Sequence, residues 1–123
     1  MKTANILSCI LGLVLAIIAI RWLLSPEESA NSLNMVFLEG EGRNTQIRDF
    51  TAMFLGTSIM CFLSLISKQY QWIFSAGLIF SLMVLISIYA NFAFEAPITT
   101  SSIVAEIIFS TIAFTSAFIY KFK

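Results

Sequence analysis

Residues 98–120 read ITTSSIVAEIIFSTIAFTSAFIY, an apolar stretch that contains a single charged residue, Glu106. A helix needs roughly 20 predominantly apolar residues to cross a bilayer, so this stretch is long enough to span one. A carboxylate inside a membrane is costly and usually faces the interior of a bundle, where it has a partner or a function. The stretch therefore predicts a transmembrane helix that carries a polar site.

Three further apolar stretches of similar length occupy residues 4–24, 47–66 and 70–90. Hydrophobic residues make up 59% of the 123 residues and charged residues only 11%, which is too apolar a composition for a soluble domain. We therefore predict an all-α membrane protein with one domain, residues 1–123. Its four transmembrane helices should form an antiparallel bundle.

The longest connection, between the first and second spans, carries a helix signal at its start. Residues 25–28, SPEE, fit a capping serine, a proline in the first turn, and a glutamate that can reach back to the cap amide. We predict a short amphipathic helix over residues 26–33, in the first outer loop. The glycines of residues 39–42, EGEG, favour a turn, after which Asn44 or Thr45 can cap the second span.

The net charge of zero conceals a segregation of charge along the chain. All lysines lie at the termini or between the second and third spans, which an even number of spans places on one side: Lys2, Lys68, Lys121 and Lys123. All acidic residues and the three arginines fall on the other side. The positive-inside rule favours the lysine side as cytoplasmic. We expect a multi-pass protein of the bacterial inner (plasma) membrane with both termini in the cytoplasm.

Four charged residues form the candidate site: Arg48, Glu106, Arg21 and Asp49. Helical rise places Arg48 about one turn, and Glu106 about two turns, inside the same membrane face. We predict that these two side chains pair, with Arg21 as a rival partner for the carboxylate. Asp49 could either stabilise the start of its helix or accept a hydrogen bond from Arg21. The cluster could fix helix packing, line an outer pocket for an anionic or zwitterionic head group, or conduct protons or ions.

Small residues recur every fourth position in the first span, at Ala4, Ser8, Gly12 and Ala16. Such a stripe lets another helix approach closely. We expect it to pack within the bundle, although it would also serve a homo-oligomer or a membrane protein partner.

Other residue types set limits on the chemistry. The chain has no histidine, the usual axial haem ligand and the commonest zinc ligand, and we expect no cofactor, no metal and no catalytic residue. Two cysteines in apolar surroundings, Cys9 and Cys61, are expected to be packing thiols. The lipid bilayer is the expected environment, and nothing in the charge pattern indicates a nucleic-acid partner.

The order of these features resembles a known group of proteins. Ser25-Pro26-Glu27 ends the first span, residues 47–50, IRDF, open the second, and residues 104–106, VAE, lie early in the fourth. The arrangement is similar to small four-span bacterial inner-membrane proteins of unknown function related to DoxX-type bundles. Those families usually have a glycine pair after the arginine, where this chain has Thr51 and Ala52.

From these observations we expect a non-catalytic membrane protein, either an accessory subunit or a small lipid-binding bundle organised by Arg48 and Glu106. A small transporter or ion-conducting oligomer is one alternative, and it would need polar residues through both leaflets. A lipid- or isoprenoid-modifying membrane enzyme is another, with Glu106 as acid or base.

Overall fold

A computed structural model describes residues 1–123. The fold is all-helical, in agreement with the predicted class, and contains no strand. Its five helices are α1 (Lys2–Leu24), α2 (Pro26–Ser32), α3 (Gly40–Ser67), α4 (Tyr70–Phe94) and α5 (Thr100–Lys121).

Four of the helices, α1, α3, α4 and α5, are long and apolar enough to cross a membrane. Large apolar side chains also point outward along them, for example Ile17 (58% exposed), Leu85 (62%) and Phe118 (65%). Lipid accommodates such a surface, whereas water would not tolerate apolar patches of this extent. The protein is therefore a multi-pass membrane protein built as a four-helix bundle.

The long helices run alternately up and down, which creates two different ends. The terminus end holds both chain termini and the tight turn between α3 and α4, and the α2 end holds α2 with the α4–α5 connection. Around the bundle, α1 packs against α3 and α5, and α4 packs against the same two helices. Two pairs, α1 with α4 and α3 with α5, consequently face each other across a diagonal.

Hydroxyl groups join the helices in the buried interior. The Ser8 and Ser116 hydroxyl oxygens lie 2.7 Å apart, and Ser116 also donates to the carbonyl of Ala4 at 3.0 Å. Ser58 donates to the carbonyl of Gly12 at 2.7 Å. Hydroxyl bonds between helices are common in membrane bundles because lipid supplies no competing partner. They connect α1 to α5 and α1 to α3, along the small-residue stripe predicted to pack within the bundle.

A polar cluster closes the terminus end. The Asn5 side-chain oxygen accepts hydrogen bonds from Lys68 Nζ at 3.0 Å and from the Tyr120 hydroxyl at 2.9 Å. In the α3–α4 turn, Ser64 donates to the carbonyl of Gln69 and accepts from the amide of Ile73. Residues from α1, α3, α4 and α5 are thereby tied together at one level of the bundle.

The start of α3 differs from the prediction. The helix begins at Gly40, where the EGEG sequence favoured a turn, and neither Asn44 nor Thr45 is its cap. The first turns gain bonds outside the helix, because side chains there bind the preceding segment, as described below. A Cβ at Gly42 would lie 3.4 Å from Leu38 Cβ, an ordinary van der Waals contact, so that position does not require glycine.

The short helix α2 is present, beginning at Pro26 and ending one residue before the predicted Leu33. The expected side-chain cap is absent. Instead, the Ser25 carbonyl accepts hydrogen bonds from the amide and the hydroxyl of Ser29, both at 3.1 Å. The reason is the backbone of Ser25, whose ψ of 64° departs from the extended conformation of a usual N-cap.

Two glycines test the close packing of the bundle. A Cβ at Gly77 would lie 3.0 Å from Ala113 Cβ and from the Phe114 ring, whereas a Cβ at Gly56 would meet nothing within 4 Å. We expect Gly77→Ala to lower the free energy of unfolding by about 1–3 kcal/mol through overpacking of α4 on α5. The matched control Gly56→Ala should leave it unchanged or raise it by about 0.5–1 kcal/mol. Denaturant unfolding in detergent measures both, and equal effects would contradict the packing.

Candidate functional site

Burial is distributed unevenly along α4 and α5. The buried residues of α4 are Ile73, Ala76, Gly77 and Phe80, all in the half nearer the terminus end. In α5 they begin only at Ser110 and continue to the terminus end. Toward the α2 end neither helix has a fully buried residue, so the bundle is packed less tightly there.

A cavity of about 660 Å³ occupies this loosely packed region. All five helices contribute to its walls, and 12 of its 20 lining residues are hydrophobic. The polar members are Arg21, Ser29, Ser32, Ser87, Thr99, Ser102 and Glu106. The volume lies within the usual range for small-molecule sites, roughly 300–1,000 Å³, and the mainly apolar lining with a few polar groups is also typical of them.

Aromatic side chains form the deep part of the cavity. Phe80 and Phe109 pack edge to face with ring centroids 5.3 Å apart, and Phe54 joins them in the lining. On one wall the rings of Trp22 and Phe50 stack at 4.8 Å with an interplanar angle of 13°. The contact between Phe80 and Phe109 lies between the cavity and the hydroxyl-bonded half of the bundle.

The cavity contains two charged residues, Arg21 of α1 and Glu106 of α5. No ion pair joins them; the single ion pair of the protein is between Arg48 and Asp49. The Glu106 carboxylate also accepts no hydrogen bond from another protein group, although it is half-buried. Two opposite charges thus line one cavity on neighbouring helices, without neutralising each other directly.

The predicted pairing of Arg48 with Glu106 is wrong. Arg48 Nε instead binds Asp49 Oδ1 at 3.0 Å, and both side chains are more than 60% exposed. The reason is the arrangement of the bundle: α3 and α5 are diagonal partners, whereas α1 and α5 are neighbours. Arg48 and Asp49 lie outside the cavity lining, and Asp49 does not pair with Arg21. The candidate site therefore reduces to Arg21 and Glu106.

The segment of residues 33–39, which begins with a turn at Leu33 and Asn34, covers part of the cavity, and we call it the strap. Its exposure alternates as in a strand: Leu33, Met35 and Phe37 are half-buried, and the residues between them are exposed. Leu33 and Met35 line the cavity. The three half-buried side chains pack against the hydrophobic core of the bundle.

Gln46 holds the strap in place, and sequence reasoning gave it no role. Its side chain accepts from the Leu38 amide at 3.0 Å and donates to the Val36 carbonyl at 3.2 Å, as a neighbouring strand would. Arg43 adds a bond to the Leu38 carbonyl at 3.0 Å and places its guanidinium 4.5 Å from the centroid of the Phe37 ring. The sequence carried no signal for this arrangement, because the exposed Val36 and Leu38 are as apolar as the half-buried residues beside them.

A second cavity, of about 670 Å³, lies between α4 and α5 at the terminus end. Its only charged lining residue is Lys121, whose Nζ sits 5.3 Å from the centroid of the Tyr70 ring. The ammonium group of Lys121 is therefore already stabilised by a cation–π interaction with Tyr70. The first cavity differs because its carboxylate is unpartnered.

Neither a scan against protein-family models nor searches of curated proteins and solved structures found a match to this chain.

The role of Gln46 can be tested through the strap. Replacing Gln46, which is 4% exposed, with Ala removes both bonds, and we expect the free energy of unfolding to fall by about 1–3 kcal/mol. Hydrogen exchange of the Leu38 amide should become faster at the same time. Gln71→Ala is the control, because that side chain is exposed and hydrogen-bonds to no other group. Unchanged exchange at Leu38 would show that Gln46 does not hold the strap.

The exposed ion pair between Arg48 and Asp49 should contribute little to stability. Arg48→Gln breaks the bond to Asp49, but exposed ion pairs contribute about 0–1 kcal/mol, so we expect the detergent unfolding midpoint to change little. A loss above about 2 kcal/mol would mean that Arg48 has a buried partner.

Proposed function

We propose that the protein is a non-catalytic membrane bundle that binds an amphiphilic molecule, such as a lipid, in the cavity at the α2 end. The observation that carries the proposal is the cavity itself, with aromatic walls at its deep end and the Arg21 and Glu106 side chains in its lining. An amphiphile has the same two parts, an apolar body and a polar head.

The position of the cavity supports this function. Glu106 lies two turns inside α5, so its depth below the helix start is about 9 Å. The apolar part of a ligand could therefore occupy the level of the hydrocarbon region, with its polar part close to the interface. Binding there would replace lipid contacts by aromatic contacts and give the charged side chains partners that the protein does not supply.

The packing of the terminus end supports binding in preference to transport. Small residues and hydroxyl bonds fill that half, including the Ser8–Ser116 pair and the bond from Ser58 to Gly12. Conduction needs polar groups along a path through both leaflets. A site that is accessible from one face only suits a lipid-binding or accessory subunit.

The orientation and location belong to the same proposal. With the four lysines at the terminus end, the positive-inside rule places that end in the cytoplasm and the cavity toward the opposite side. In a bacterial inner membrane this side is the periplasmic one. The ligand would then come from the outer leaflet, from the periplasm, or from a partner membrane protein that delivers or receives it.

Filling the cavity tests the proposal with a matched pair of variants. Ser102 lines the cavity and has no side-chain hydrogen bond, whereas the adjacent Ser101 is exposed and lies outside the lining. We expect Ser102→Phe to displace a co-purifying amphiphile because its ring occupies the volume, and Ser101→Phe to retain it. Native mass spectrometry of the gently solubilised protein measures bound lipid for each variant.

Thermal unfolding of both variants in the same detergent provides the control for folding. A bound ligand at a concentration about 100 times its Kd stabilises a protein by about 2.7 kcal/mol, so added lipid extract should raise the unfolding temperature of Ser101→Phe but not of Ser102→Phe. Equal lipid retention and equal stabilisation in the two variants would refute the cavity as the binding site.

A further inference from the structure

We infer that the ligand of the α2-end cavity carries an ammonium group on its apolar body, and that this group binds the Glu106 carboxylate. The inference rests on the proposed function and names the chemical class of the molecule bound. It replaces the broader expectation of an anionic or zwitterionic head group, which assumed that Arg48 also faced the site.

Two charged side chains of the cavity are available to a ligand, Arg21 and Glu106. Arg48 binds Asp49 on the exposed surface and does not line the cavity, so the lining holds one guanidinium and one carboxylate. Glu106 has neither an ion-pair nor a hydrogen-bond partner in the protein. A carboxylate accepts hydrogen bonds and cannot donate them, so the best complement for it is a cation with N–H donors.

The two charged side chains lie at different depths in the cavity. Glu106 lies one turn from Phe109 in the aromatic deep part, and Ser102 lies one turn nearer the α2 end. Arg21 is three residues from the end of α1, about 4.5 Å along its axis, and its side chain is exposed. The carboxylate thus borders the apolar region, whereas the guanidinium lies near the mouth.

The uncharged lining of the cavity also favours an organic cation. The lining supplies aromatic rings, including Phe54 and Phe109, and methionine side chains such as Met53 and Met83. Aromatic faces attract organic cations, and methionine adapts to ligands of irregular shape. An anionic head group would meet an unpartnered carboxylate at the inner level of the site, which is unfavourable. These features together favour an amine with an apolar body.

The experiment compares three probes with the same alkyl chain and different head groups: dodecylamine, dodecanol and dodecanoate. The protein is reconstituted in phosphatidylcholine nanodiscs as the Trp72→Phe variant, so that the emission of Trp22, which lines the cavity, reports binding alone. We expect dodecylamine to bind about 10–100 times more tightly than dodecanol, since a hydrogen bond to a charged group contributes about 1.5–3 kcal/mol.

Two glutamate variants give the matched control. Glu106→Gln preserves the size and polarity of the side chain and should reduce the affinity for dodecylamine to that for dodecanol. Glu95→Gln makes the same change in charge at the same end, at an exposed residue outside the cavity, and should leave the affinity as it is. Thermal unfolding without probe confirms that both variants are folded.

Several results would overturn the inference. If dodecylamine and dodecanol bound the unmodified cavity with equal affinity, the Glu106 carboxylate would not recognise the ammonium group. The same would follow if Glu106→Gln and Glu95→Gln lost equal affinity for dodecylamine. Tightest binding of dodecanoate, lost in Arg21→Gln, would assign an anionic ligand to the cavity, and the proposed amphiphile site would still stand. No response of Trp22 to any probe, combined with equal lipid retention in Ser101→Phe and Ser102→Phe, would refute both proposals.

Discussion

Close packing of α1 against α3 and α5 at the terminus end is the constraint on which the rest of the structure depends. Lipid provides no hydrophobic driving force between helices, so the bundle relies on small residues and hydroxyl bonds. Ser8 and Ser116 meet at 2.7 Å, and Gly12 receives the Ser58 hydroxyl. These contacts determine which helices are neighbours and therefore which side chains face each other at the α2 end.

The same packing leaves the cavity at the opposite end. The buried residues of α4 and α5 all lie toward the terminus end, and aromatic rings such as Phe80 and Phe109 close that region off. Beyond the rings, the side chains of the long helices do not fill the space between them, and the strap covers it only in part. A charged residue in this space keeps access to a ligand, whereas the tightly packed half would require it to pair within the protein.

Several local features were predictable because they depend on sequence neighbours. Pro26 marks the start of α2, and the turn between α3 and α4 is confined to a few residues, so both were accessible to sequence reasoning. The start of α3 was not, because the helix begins at Gly40 with the positive φ (60°) of a glycine turn, and its next turns bind the strap through Arg43 and Gln46.

Hydrophobic runs by themselves determined the class of protein, the number of long helices and the segregation of lysines to one end. These are properties of consecutive residues, and the bilayer thickness converts run length directly into spans. The tertiary structure alone decided that Arg48 binds Asp49, that Arg21 shares a cavity with Glu106, and that Gln46 holds the strap. The physical reason is that close contacts distributed over the whole chain decide which helices are adjacent in a bundle. The spacing of residues within one span does not show which other helix packs against it.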